Sequence, residues 1–138
     1  MAPLLSRCPD IPTFEKHVTR VALAGAGPVI AGTMGESIHL SQAERTELIH
    51  AARRALDNVG LTTVPIIVGT GAGSTRETLQ LTRQAAAVGA DYALIIASGY
   101  FAGALAANKS ALKAYWKELA ENSPIPVMIY NCESMSFP

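Results

Sequence analysis

The sequence predicts a parallel α/β fold, and three observations carry that expectation. Apolar, largely β-branched runs begin near residues 28, 64, 92 and 127, and helix-type patterns fill the gaps between them. That spacing suits repeated βα units. Hydrophobic residues make up 49% of the chain and charged ones 16%, with mean hydropathy +0.24. So apolar a chain buries whole strands, as a parallel sheet covered by helices does. The 138 residues suffice for one domain with a real core.

Residues 1–12 hold three prolines and little periodicity, so an irregular segment or a truncated first strand is expected there. Thr13 can cap a helix from Phe14 to about Ala24, with Phe14, Val18, Val21 and Ala22 on one face. Gly25 and Gly27 end it. Pro28 to Ala31 reads as the first clear strand, and Gly32 to Gly35 as its exit loop. Ser41-Gln42-Ala43-Glu44 is a capping box, in which hydroxyl and carboxylate each satisfy an exposed amide. The helix behind it runs to about Val59, burying Leu48, Ala51, Ala52 and Ala55, and stops at Gly60.

Val64 to Val68 is the second strand, leaving through Gly69-Thr70-Gly71-Ala72-Gly73. A second capping box, Ser74-Thr75-Arg76-Glu77, opens a helix that ends near Val88. Tyr92 to Ile96 is the third strand, with Ala97 to Phe101 as its exit. A looser stretch precedes a helix from about Ser110 to Glu121, on which Trp116 and Tyr115 read as core and its edge and Lys109, Lys113 and Lys117 as a solvated stripe. Pro124 and Pro126 introduce the last strand, Val127 to Tyr130, and residues 132–138 read as an irregular tail. Four such strands fit either an open sheet or part of an eight-unit barrel.

Composition excludes several functions. Eleven basic residues balance 11 acidic ones, leaving a formal net charge of +0 and no electrostatic footprint for nucleic acid or an anionic membrane surface. The longest uncharged run, Val21 to Gly35, contains four glycines and a proline and falls short of the roughly 20 residues a membrane span needs. No signal-peptide core precedes it. Cys8 and Cys132 stand far apart, as reduced thiols of a cytoplasmic protein would. His17, His39 and His50 lack metal-ligand spacing. Gly69-x-Gly71-x-Gly73 is not the nucleotide-binding Gly-x-Gly-x-x-Gly and no lysine follows it, so neither metal nor cofactor is expected.

Several motifs act together. They are Gly32-Thr33-Met34-Gly35-Glu36-Ser37, Leu40-Ser41 with Glu44-Arg45, Val68 to Thr75, Gly89-Ala90-Asp91, Gly99-Tyr100-Phe101 and Pro124 to Asn131. In order and separation they resemble the dihydrodipicolinate synthase / N-acetylneuraminate lyase family, from about Thr13 to Asn131. The resemblance implies a partial TIM (β/α)₈ barrel covering about strands two to five, from a family usually assembled as homo-oligomers. It also implies class I aldolase chemistry on pyruvate or a related 2-oxo acid, through a Schiff base on a lysine.

Carried over residue by residue, the resemblance makes Thr33 the hydroxyl of a proton relay. It gives the Thr33 and Met34 backbone to the keto-acid carboxylate, and makes Tyr130 the phenol at the keto group, with Tyr100 completing the relay. The bland alternatives are a strand-ending hydroxyl for Thr33 and core-rim packing for the tyrosines. Met34 replaces a hydroxyl residue of the family motif, and Glu133 replaces its proline. The family's Schiff-base lysine lies on the sixth strand, whereas the lysines here are Lys16, Lys109, Lys113 and Lys117, all on helices or their caps. The expectation is therefore a chain inactive by itself. The alternative is a non-catalytic fragment that binds keto acids weakly or associates with full-length subunits.

Overall fold

The computed structural model describes residues 9–97 and 108–131. Among them, β1 (Val29–Ile30), β2 (Ile67–Gly69), β3 (Tyr92–Ile96) and β4 (Val127–Tyr130) form one sheet in the order β1-β2-β3-β4. Every neighbouring pair is parallel. Between and before them lie α1 (Ile11–Leu23), α2 (Gln42–Asn58), α3 (Thr75–Ala87) and α4 (Lys109–Asn122). The fold is thus the expected parallel α/β one.

Register and burial separate the two faces of the sheet. Ile30 pairs with Val68, Val68 with Ala93 and Ile95 with Ile129, and Ile30, Val68, Ala93 and Ile95 are buried under the helices. α2 supplies Leu48, Ile49, Ala52, Ala55 and Leu56 to this core, and α1 supplies Val18 and Ala22. Each large aliphatic side chain so buried stabilises the fold by about 1.5–3 kcal/mol. A second cluster joins Leu79, Ala93, Ile95 and Leu119, with Tyr115 and Trp116 packed on it edge to face at 5.0 Å. The other face carries Val29, Ile67, Tyr92, Leu94, Ile96, Met128 and Tyr130, all at least partly exposed, as the inner wall of an unclosed barrel is.

Local chemistry explains where element ends differ from expectation. α1 starts at Ile11 because Asp10, not Thr13, is its N-cap; the carboxylate accepts from the Thr13 N–H at 3.1 Å and its hydroxyl at 2.8 Å. Pro12 is tolerated in that first turn because no intrahelical donor is needed there. β1 stops at Ile30 because Ala31 adopts φ +52°, outside extended geometry. β2 starts at Ile67, since Pro65 has no N–H to donate and the Val64 carbonyl is taken by Arg53. The Ser41–Glu44 box is complete, whereas at α3 the Ser74 hydroxyl accepts from the Glu77 N–H and the Glu77 side chain points elsewhere, as described below. β3 and β4 fall where the sequence places them.

The amino-terminal rim is braced by polar bonds. Asp91 accepts from the Ile66 N–H at 2.8 Å, and Arg53 donates to the carbonyls of Leu61 and Val64, each at 3.2 Å. In barrel folds this end carries stability and the opposite end carries chemistry.

Candidate active site

Because all the strands run the same way, every strand-to-helix loop leaves from one rim. Among the described residues, the loop from β1 to α2 is richly bonded. Gly35 and Ser37 donate their N–H groups to the Gly32 carbonyl at 3.1 and 3.3 Å, and Glu36 donates to Thr33 at 3.1 Å. A 3₁₀ turn, Ser37–His39, then leads to the α2 cap. Two non-glycine residues with positive φ, Ala31 at +52° and Glu36 at +54°, bracket the segment. Such backbone persists only where its surroundings over-determine it, and it gathers at functional sites. Between them, the N–H groups of Thr33 and Met34 find no acceptor among the described residues. Two such amides in a tight turn offer donors to an anion.

The β2 exit locks this loop from beside it. A Cβ on Gly69 would lie 2.1 Å from the Ala31 carbonyl oxygen, and one on Gly71 would lie 3.1 Å from the Ile96 nitrogen. At Gly69 only glycine permits that approach, and at Gly71 a Cβ would be tight against Ile96. Behind these glycines is a buried hydroxyl ladder of Thr70, Thr78 and Thr82. The Thr82 hydroxyl donates to the Thr78 carbonyl at 2.8 Å. Its single hydrogen thus spent, it accepts from the Thr70 hydroxyl at 2.9 Å. The Thr78 hydroxyl accepts from the Ala72 N–H at 3.1 Å, pinning the loop to α3.

Over this rim opens a cleft of about 640 Å³ between the two loops, lined among others by Thr33, Ser37, Arg45, Gly73, Glu77 and Ile96. Arg45 donates to the carbonyls of Ser37 and Leu40. Burial pulls its pKa below the ordinary guanidinium value, and the Glu77 carboxylate opposes that pull. Deeper in the packing, burial raises the Tyr115 phenol's pKa, with Thr78 opposing. Among the described residues its hydroxyl has no hydrogen bond of good geometry.

The predicted site residues divide as follows. Thr33 is exposed at the cleft. Met34 instead projects to the far side of the loop, 87% exposed, at the mouth of an apolar groove shared with Phe14, Val18 and Val29. Tyr130 ends β4 beside Ile96, on the face away from the helices. Thr33 and Tyr130 therefore share a rim, but three strand spacings of about 4.8 Å separate them along the sheet, roughly 14 Å. The curl of a barrel sheet shortens that gap across the mouth. Tyr100, Cys8, Cys132 and the 132–138 tail lie outside the described residues. Lys16, Lys109, Lys113 and Lys117 are exposed on α1 and α4. Arg45 and Glu77 are functional candidates that sequence reasoning used only as motif and cap. Their signal was present: each stands in the first turn of a helix that follows a rim loop.

Parallel strands with a cleft at their carboxyl ends define an α/β protein of the barrel type. The family follows from comparison: residues 19–137 match the model of the dihydrodipicolinate synthetase family, and the chain belongs to that family. It is 46% identical over 123 residues to a protein of Emericella nidulans named "Probable 4-hydroxy-2-oxoglutarate aldolase, mitochondrial", covering 88% of this chain and 39% of that one. To an L-threo-3-deoxy-hexylosonate aldolase of Aspergillus niger it is 40% identical, covering 88% of this chain and 36% of that one. The crystal structure of a chloride-inhibited dihydrodipicolinate synthase from Acinetobacter baumannii, complexed with pyruvate, superposes with a TM-score of 0.85. It is 33% identical and the match covers 99% of this chain and 45% of that one. The chain thus spans about two fifths of the length of such relatives, as a partial (β/α)₈ barrel. No helix among the described residues is long and apolar enough to cross a membrane.

Proposed function

We propose that this chain is the keto-acid-binding part of a pyruvate-type class I aldolase or synthase. The observation that carries the reading is the pair of amides at Thr33 and Met34, without an acceptor among the described residues and held in a constrained turn at the carboxyl rim of a parallel sheet. A carboxylate accepting from both gains two charge-assisted hydrogen bonds, each worth about 1.5–3 kcal/mol. The Acinetobacter baumannii neighbour bound to pyruvate supports the choice of ligand.

In this reading the Thr33 hydroxyl and the Tyr130 and Tyr100 phenols pass protons at the keto group. A phenol does so usefully only when another hydroxyl holds it in position. The amine that condenses with the keto carbon, losing water, comes from outside these residues, in the same polypeptide or another chain. A Schiff-base lysine must be desolvated, whereas Lys16, Lys109, Lys113 and Lys117 are all exposed. The site is proposed to work in a cytoplasmic protein without metal or cofactor.

The experiment is a pyruvate titration of the ¹⁵N-labelled chain, followed by borohydride and mass measurement. Saturable shifts at the Thr33 and Met34 amides with an unchanged mass are expected. No shift overturns the binding reading, and a stable adduct overturns the assignment of the lysine elsewhere.

A second reading is favoured by exposed apolar side chains at both sheet edges, Val29 on β1 and Met128 and Ile129 on β4. Such edges invite pairing. We propose that further barrel strands cover them, supplied by a homo-oligomer or a full-length subunit. Turnover assayed with and without a full-length relative separates the two readings: activity only in the mixture favours association.

A further inference from the structure

We propose that Arg45 is the positioning residue of this site, fixing the direction of the Thr33 and Met34 amides without itself bonding the keto acid. The inference rests on the keto-acid reading above. Among the described residues, the side-chain hydrogen bonds onto the backbone of segment 32–40 all come from Arg45. One guanidinium spans two carbonyls of that segment, Ser37 and Leu40, with the fixed donor directions of its planar fork.

The bonds fall where the loop needs them. The Ser37 N–H donates to the Gly32 carbonyl, and the Ser37 carbonyl accepts from both the Leu40 N–H and Arg45. Ser37 is therefore the joint through which Arg45 acts on residues 32–35. Immediately before it stands Glu36, held at φ +54°. A non-glycine residue relaxes from that conformation unless bonds on either side hold it. Arg45 itself is fixed, because its N–H donates to the Ser41 carbonyl in the first turn of the capped helix α2. From α3, Glu77 lines the same cleft, and its carboxylate opposes the effect of burial on the guanidinium. The clamp thus ties the β1 exit loop to α2. The other charged group lining this cleft is Glu36, on the loop itself.

Two substitutions separate positioning from direct charge attraction. Arg45→Lys keeps the charge but cannot span both carbonyls; Arg45→Met removes both. Positioning predicts that the two variants lose pyruvate affinity alike, by tenfold or more. It also predicts that the Gly35 and Ser37 amides lose hydrogen-exchange protection, while Leu48 to Leu56 of α2 keep theirs and so report an intact fold. Retention of wild-type affinity in Arg45→Lys, or unchanged protection at Gly35 and Ser37 in Arg45→Met, overturns the inference and leaves the keto-acid reading standing. A wild-type chain that shows no pyruvate shift removes that reading, and the inference falls with it.

Discussion

Gly69→Ala tests how the site loop is held more severely than any change to a reacting group. The new Cβ would sit 2.1 Å from the Ala31 oxygen, 2.8 Å from the Ala31 carbonyl carbon and 3.1 Å from Gly32 Cα. All three are backbone atoms, so no rotamer change relieves the clash. A carbon and a carbonyl oxygen need about 3.3 Å, so the β1 exit must retreat by roughly 1 Å. Overpacking of that kind costs about 1–3 kcal/mol, and rigid backbone places this case at the upper end. The retreat also carries Thr33 and Met34 away from the ligand. Losing one charge-assisted bond of about 1.5–3 kcal/mol weakens pyruvate binding roughly tenfold to a hundredfold. Urea unfolding measures the first effect and the amide titration the second. Gly73→Ala is the control, since a Cβ there meets nothing within 4 Å. A Gly69→Ala chain with the wild-type urea midpoint and wild-type Thr33 and Met34 shifts would refute the reasoning.

The buried ladder gives a coupling test: Thr82→Val strands the Thr70 hydroxyl without its partner and is expected to cost about 1–3 kcal/mol. Thr70→Val/Thr82→Val should cost less than the two single changes together, by at least about 0.5 kcal/mol in a urea double-mutant cycle; strict additivity would contradict the hydrogen bond. Acid sensitivity should map to the helix caps. Hydrogen bonds from Thr13 hold the Asp10 carboxyl, and those from Ser41 hold the Glu44 carboxyl, below their usual range. A carboxyl whose pKa is lower folded than unfolded adds stability above the unfolded value, lost as pH falls through the folded one. Asp10→Asn and Glu44→Gln should therefore flatten the fall in urea midpoint between about pH 5 and about pH 3; an unchanged slope would remove the caps as its cause.

The sequence by itself determined the elements and their order. Ser41 and Glu44 announce a helix because a hydroxyl and a carboxylate three residues apart satisfy local amides, whatever surrounds them. Val127 to Tyr130, behind two prolines, announces a strand for equally local reasons. The motif Gly32 to Ser37 also marked a loop that leaves the carboxyl rim of the sheet. Three things were legible only in the tertiary structure. Asp10 won the first cap from Thr13 because its carboxylate reaches both the Thr13 amide and the Thr13 hydroxyl, a geometry that composition does not reveal. Arg45 and Glu77, 32 positions apart in sequence, line one cleft because parallel order sets the starts of α2 and α3 side by side. Thr33 and Met34, neighbours in the chain, open onto different cavities because the turn that follows Ala31 sends successive side chains apart. Local chemistry is written in adjacent residues, but which groups face one another depends on strand order and on backbone that leaves the extended region.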